Sequence, residues 1–116
     1  MSVLKFTEDA VADIKAAISK NLRGSLKKAL LESVARDPVG YSRELRGELE
    51  GYRSFKWQEY RVVCKIFPDL RAIAVAGVGL RTAESTGNIY RRLETLAKAG
   101  ELAQGILFSI RGFTHP

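Results

Sequence analysis

Three apolar runs separated by two short breaks, "YRSFKW", "YRVVCKIF" and "LRAIAVAGVGL", constrain this chain more than any other feature. Tyr52 to Trp57 and Tyr60 to Phe67 read as strands joined at Gln58-Glu59, Pro68-Asp69 supplies a turn, and Leu70 to Leu80 reads as a third strand. Such tight connections join antiparallel neighbours, so a meander is expected. Side chains alternate faces along a strand, which puts Tyr60, Val62, Cys64 and Ile66 on an apolar face and Arg61, Val63 and Lys65 on the other. The apolar set is expected to lie on helices, leaving Arg61 and Lys65 opposite. There they serve either as a solvated face, with Arg61 paired to Glu48 or Glu59, or as an anion site.

The helices are expected upstream and downstream of the meander. Residues 3 to 6, "VLKF", suit a first strand, and Thr7 followed by Glu8 and Asp9 is a helix-start signal. Ala10, Val11, Ile14, Ala17 and Ile18 recur at helical spacing, as do Leu22, Leu26, Ala29, Leu30 and Val34 up to Asp37-Pro38. Gly24 marks either the joint between two helices or a weak point in one longer helix. Gly40, Gly47 and Gly51 punctuate a charged loop. Beyond Gly87, Ile89, Leu93, Leu96 and Ala97 mark a helix ending near Gly100, and Leu102, Ile106, Leu107 and Ile110 suggest a further apolar turn or two. The expected fold is α+β: a small antiparallel sheet of about four strands, two N-terminal helices packed on one face, and a C-terminal helix. Its 116 residues fit one domain, 1–116, with 101–116 as a C-terminal extension.

Charge narrows the partners. Nineteen Lys and Arg against thirteen Asp and Glu give +6 and a pI near 9.7, which suits nucleic acid, a ribosome or an acidic protein. Cys64 is the only cysteine, so no intrachain disulfide or cysteine zinc cluster is available, and a small core residue in a cytoplasmic protein is expected. "MSVLKFTEDAV" has no apolar signal core, and the uncharged run "AIAVAGVGL" is too short to cross a bilayer, so no membrane partner is expected. His115 is the single histidine, which excludes a two-histidine acid/base pair. "GVGLR" lacks P-loop spacing, and the acidic residues show no metal-ligand spacing, so neither a metal nor another cofactor is expected.

The stretch "LRGELEGYRSFKWQEYRVVCKI", then "IAVAGVGLR" and "IYRRL", resembles the RelE/ParE superfamily of toxins from bacterial toxin–antitoxin pairs. Leu45, Gly47, Gly51, Tyr60, Arg61, Val62, Gly79, Arg81 and Tyr90 stand in the order of that family's short motifs, over roughly residues 2 to 97. The resemblance implies a cognate antitoxin protein as partner and one of two activities. RelE-like members are ribosome-dependent endoribonucleases that cleave mRNA; ParE-like members inhibit DNA gyrase. A module of the same fold that binds RNA or protein without cutting is a further alternative. For the nuclease, the resemblance implies Arg61 as phosphate stabiliser, Arg81 as the cation near the leaving oxygen, and Tyr90 as a stacking and orienting group. The lysine pair of RelE is replaced here by Tyr52 and Ser54, with Arg53 and Lys56 as nearby substitutes. Retention of Arg81 and Tyr90 favours the RelE-like branch.

Other residues have two readings each. Lys27, Lys28, Arg43 and Arg46 either contact RNA or ribosomal phosphates or form a solvated face. Trp57 and Tyr52 either stack on bases or cap the packing. Arg91 and Arg92 serve the surface or the antitoxin. The apolar residues of "ELAQGILFSIRGF" fold back on the sheet, form a dimer contact, or receive the antitoxin.

Overall fold

Alternation in the meander sets the register of the whole molecule, which we describe from a computed structural model for residues 2–81 and 88–111. Strands β3 (Arg53–Trp57), β4 (Tyr60–Phe67) and β5 (Ala72–Leu80) follow one another as antiparallel neighbours. Two further strands flank them: β1 (Val3–Phe6) and β2 (Arg43–Glu44), giving the order β1-β5-β4-β3-β2. Two expectations are corrected here. The sheet is mixed, because β1 runs parallel to β5, and β2 adds a two-residue strand in the segment read as loop. A crossover through helices is what permits the parallel pair.

That crossover is α1 (Glu8–Ala17) and α2 (Lys20–Glu32). Thr7 caps α1, its side chain accepting from the Ala10 N–H, while Glu8 and Asp9 occupy the positive first turn. The joint lies at Ile18-Ser19; Gly24 sits exposed inside α2. Ala10, Ile18, Leu26 and Leu30 pack on Phe55, Val62, Cys64, Ile73, Val75 and Val78 to form one core. Val11 and Leu22, read as part of the apolar stripe, stay exposed.

The opposite face, expected to be solvated or open to an anion, is covered over much of its area too. Helices α3 (Ile89–Lys98) and α4 (Glu101–Ile110) bury Ile89, Leu93, Leu102 and Ile106 against Leu49, Tyr52, Val63, Ala74 and Ala76. Leu102, Ile106 and Ile110 of the C-terminal segment therefore fold back on the sheet, although Leu107 and Phe108 remain exposed. A bulge prepares this face: Val63 pairs with Gly77 but Cys64 with Val75, leaving Ala76 as the extra residue. Val78 thereby returns to the first core, and Gly77 and Gly79 lie beneath α3. A Cβ at Gly77 would stand 3.1 Å from the Leu93 methyls and one at Gly79 3.3 Å from Ile89, so the two glycines let α3 approach the sheet closely.

One ion pair ties the outer layers together past the end of β1. The Asp13 carboxylate on α1 accepts from the Val78 N–H at 2.9 Å and pairs with Arg92 on α3 at 2.9 Å. Arg92 is thus a structural clasp. No helix among the described residues is long and apolar enough to cross a membrane.

Candidate functional site: a cationic groove beside Tyr90

The covered face of the sheet is closed at its centre and open at the β3–β4 hairpin end. Val63 is fully buried under the C-terminal helices, whereas Arg61, two residues earlier on the same face, is only half-buried. Register then decides which side chains join it. Lys56 pairs directly opposite Arg61, which in turn pairs with Gly79; one row along, Arg43, Ser54, Val63 and Gly77 line up. Arg81 follows the end of β5 with the same parity. Gly40, Tyr41, Ser42, Arg43, Ser54, Lys56, Arg61 and Arg81 line a groove of about 620 Å³.

Its electrostatics are one-sided. Among the described lining residues four are cations and none is acidic. Among the described residues no carboxylate lies within ion-pair distance of Arg43, Lys56, Arg61 or Arg81; Arg61 donates only to the Tyr60 carbonyl, at 3.3 Å. Like charges placed directly opposite on neighbouring strands destabilise a sheet, by roughly 0.2–1 kcal/mol. Lys56 opposite Arg61 is therefore a cost to the fold that a bound anion removes. Neither Glu48 nor Glu59 supplies the pairing that a solvated face would offer.

Tyr90 stands at the edge of this groove. The Asn88 side chain caps α3 by accepting from the Tyr90 N–H at 2.9 Å, and the Tyr90 hydroxyl meets the Ser54 hydroxyl at 2.7 Å. Ser54 is 5% exposed, so this bond fixes the half-buried ring. Tyr52, two residues before Ser54, lies in the second core with the Lys65 ammonium 5.3 Å from its ring centroid. Burial raises the Tyr52 hydroxyl above its ordinary range, which keeps it protonated.

Arg53 lies elsewhere. It pairs with Cys64 and Glu44, so it shares the face of Phe55, not that of Arg61. Its Nε donates to the Ser42 hydroxyl at 2.7 Å and its NH2 to the Ser42 carbonyl at 3.0 Å, with Glu44 at 3.6 Å. It holds the loop that forms one wall of the groove. Trp57 stacks on Tyr60, with ring centroids 5.9 Å apart, and packs in the first core. Cys64 is buried beneath it all, its thiol pushed up to about 12 by burial, with Arg53 opposing.

The remaining candidates are dispersed. Lys27 and Lys28 are exposed on α2, across the sheet from the groove. Arg46 is exposed and lines a separate hollow with Glu44, Glu50 and Arg53. Arg91 is 3.9 Å from Glu94 on its own helix. His115 lies outside the described residues. Among those residues there is no cluster of three or more metal-ligating side chains. Sequence reasoning missed Tyr41 and Ser42 as groove residues; the available signal was an aromatic beside cations in the loop Gly40 to Arg43.

No family model and no curated protein matches the chain. Solved structures do. A chain of the toxin–antitoxin complex RelBE2 from Mycobacterium tuberculosis superposes with a TM-score of 0.64 at 21% identity, over 69% of this chain and 91% of that one. The isolated E. coli RelE toxin gives 0.58 at 25% identity, over 80% and 99%. The intact E. coli RelBE toxin–antitoxin complex gives 0.56 at 26% identity, over 69% and 96%. With the strand order, the helix hairpin and the groove in place, these likenesses establish that the chain has the RelE-like toxin fold.

Proposed function

We propose that this protein is the toxin of a type II toxin–antitoxin pair, a ribosome-dependent endoribonuclease that cleaves mRNA and so inhibits translation in the cytoplasm. The observation that carries the reading is the groove in which Lys56, Arg61 and Arg81 converge beside Tyr90, with no acidic residue among its described lining. RNA cleavage by the adjacent 2′-hydroxyl forms a bond from that oxygen to phosphorus and breaks the bond to the 5′ oxygen. The products are a 2′,3′-cyclic phosphate and a free 5′-hydroxyl. The 2′ proton must leave, the departing 5′ oxygen must gain one, and the phosphorane between them concentrates negative charge.

Arg61, half-buried and without a carboxylate partner among the described residues, is assigned to that charge, and exposed Arg81 is assigned to the leaving oxygen. Arginine holds its proton tightly, so both act by charge. Lys56 is assigned the proton exchange, and the Tyr90 ring, fixed to Ser54 through its hydroxyl, orients the substrate. Exposed Lys27 and Lys28 on α2, with Arg46, would meet ribosomal RNA phosphates. A cognate antitoxin would silence the protein by filling or covering the groove, as the neighbours' toxin–antitoxin complexes invite.

Mapping mRNA 5′ ends after adding purified protein to a cell-free translation reaction tests the reading. New cuts at ribosome-occupied codons are expected, lost in Arg61→Ala and Arg81→Ala. Intact mRNA together with blocked DNA supercoiling would transfer the assignment to a gyrase inhibitor.

A further inference from the structure

The groove has one wall that no step above uses. Tyr41 is 52% exposed, lines the groove, and its side chain has no bonding partner among the described residues. Its ring and hydroxyl are thus open to a ligand, while the loop beneath it is held at several points. The Asp37 carboxylate accepts from the Gly40 N–H at 3.1 Å, and the Tyr41 N–H donates to the Asp37 carbonyl at 3.2 Å. A Cβ at Gly40 would meet that carboxylate, which would have to swing aside and give up this bond. The Ser42 hydroxyl donates to the Pro38 carbonyl, and Arg53 grips Ser42 through both its hydroxyl and its carbonyl.

A fixed, exposed aromatic beside four cations is what a single nucleic-acid strand needs. The cations take the phosphates, and the ring offers a face to any base, at little ordering cost on binding. We infer that Tyr41 is a stacking platform for an unpaired nucleobase of the strand whose phosphates lie on Arg43, Lys56, Arg61 and Arg81. Arg53 is the positioning residue that holds this platform. The inference rests on the groove's being an RNA site, and adds that the protein grips the base as well as the backbone.

Fluorescence anisotropy with a 2′-O-methyl oligoadenylate of about nine nucleotides, and an abasic ribose-phosphate strand of equal length, tests it. Methylation removes the nucleophile, so binding is read whether or not the protein cuts. The wild type should prefer the strand with bases by roughly tenfold. Tyr41→Ala should abolish the preference, Tyr41→Phe should keep it, and the dependence of affinity on salt should be the same in all three. Arg43→Ala should keep the preference while lowering the salt slope by about 0.7. A preference that survives Tyr41→Ala, or a wild type that shows none, overturns the platform. The translation assay separately decides whether mRNA is cut, so the two readings fail independently.

Discussion

The hydroxyl oxygens of Ser54 and Tyr90 lie 2.7 Å apart, joining β3 to the first turn of α3 at the rim of the groove. Tyr90→Phe keeps the ring and removes the bond, leaving Ser54 buried with one partner fewer. The expected cost is about 1–2 kcal/mol in urea unfolding. Ser54→Ala in the Tyr90→Phe background should add almost nothing, because the two groups act as a pair. Cleavage should fall more in Tyr90→Ala than in Tyr90→Phe if the ring orients the substrate.

Lys56 opposite Arg61 predicts a trade between stability and function. Lys56→Glu turns a repulsive cross-strand pair into an attractive one and should stabilise the hairpin by roughly 0.5–1 kcal/mol. The same change neutralises Arg61 as an anion site. Oligonucleotide affinity and mRNA cleavage should therefore drop while the thermal midpoint rises, and a variant that loses both would contradict this placement.

Asp13 serves two partners, the Val78 N–H and Arg92. Asp13→Ala orphans both and should cost about 2–4 kcal/mol, whereas Arg92→Ala, at an exposed guanidinium, should cost about 1 kcal/mol. Hydrogen exchange at Val78 should accelerate in the first variant and change little in the second.

Cys64 gives the fold an alkaline limit. At low pH the thiol is protonated whether the chain is folded or not. Above its ordinary 9.0 only the unfolded chain releases the proton, because burial holds the folded value near 12. Stability is therefore lost as pH rises through that window, by about 1.4 kcal/mol per pH unit. Urea midpoints compared with those of Cys64→Ala should show a shallower decline in the variant.

Gln58 adopts a left-handed backbone, φ 54°, in the two-residue β3–β4 turn. Glycine takes that conformation without a Cβ penalty, so Gln58→Gly should stabilise by roughly 0.5–1 kcal/mol, less its own entropic cost. The groove residues on either side of the turn should keep their activity.

Much of this arrangement was legible because β3 and β4 alternate. Val62 and Cys64 announced their shared face, and Arg61 followed from the same parity. The second helical layer was harder, though its signal was present. "AIAVAGV" in β5 is apolar on both faces, as a strand covered from both sides must be. The parallel pairing of Val3 with Ala72 has no local signature, since it depends on where the helical crossover returns the chain. Arg53 could not be placed before the hairpin register was known. A shift of one residue would have put it beside Arg61 instead of under Ser42.

The pairing of β1 with β5 also orders events during synthesis. Val3–Phe6 is made early, yet its partner Ala72–Val75 lies far down the chain, so α1 and α2 must wait with their apolar faces uncovered. The groove waits longer still, because Tyr90 and the helix that seats it are made after every strand. A nascent chain therefore carries no assembled groove until Tyr90 and the first turn of α3 have emerged.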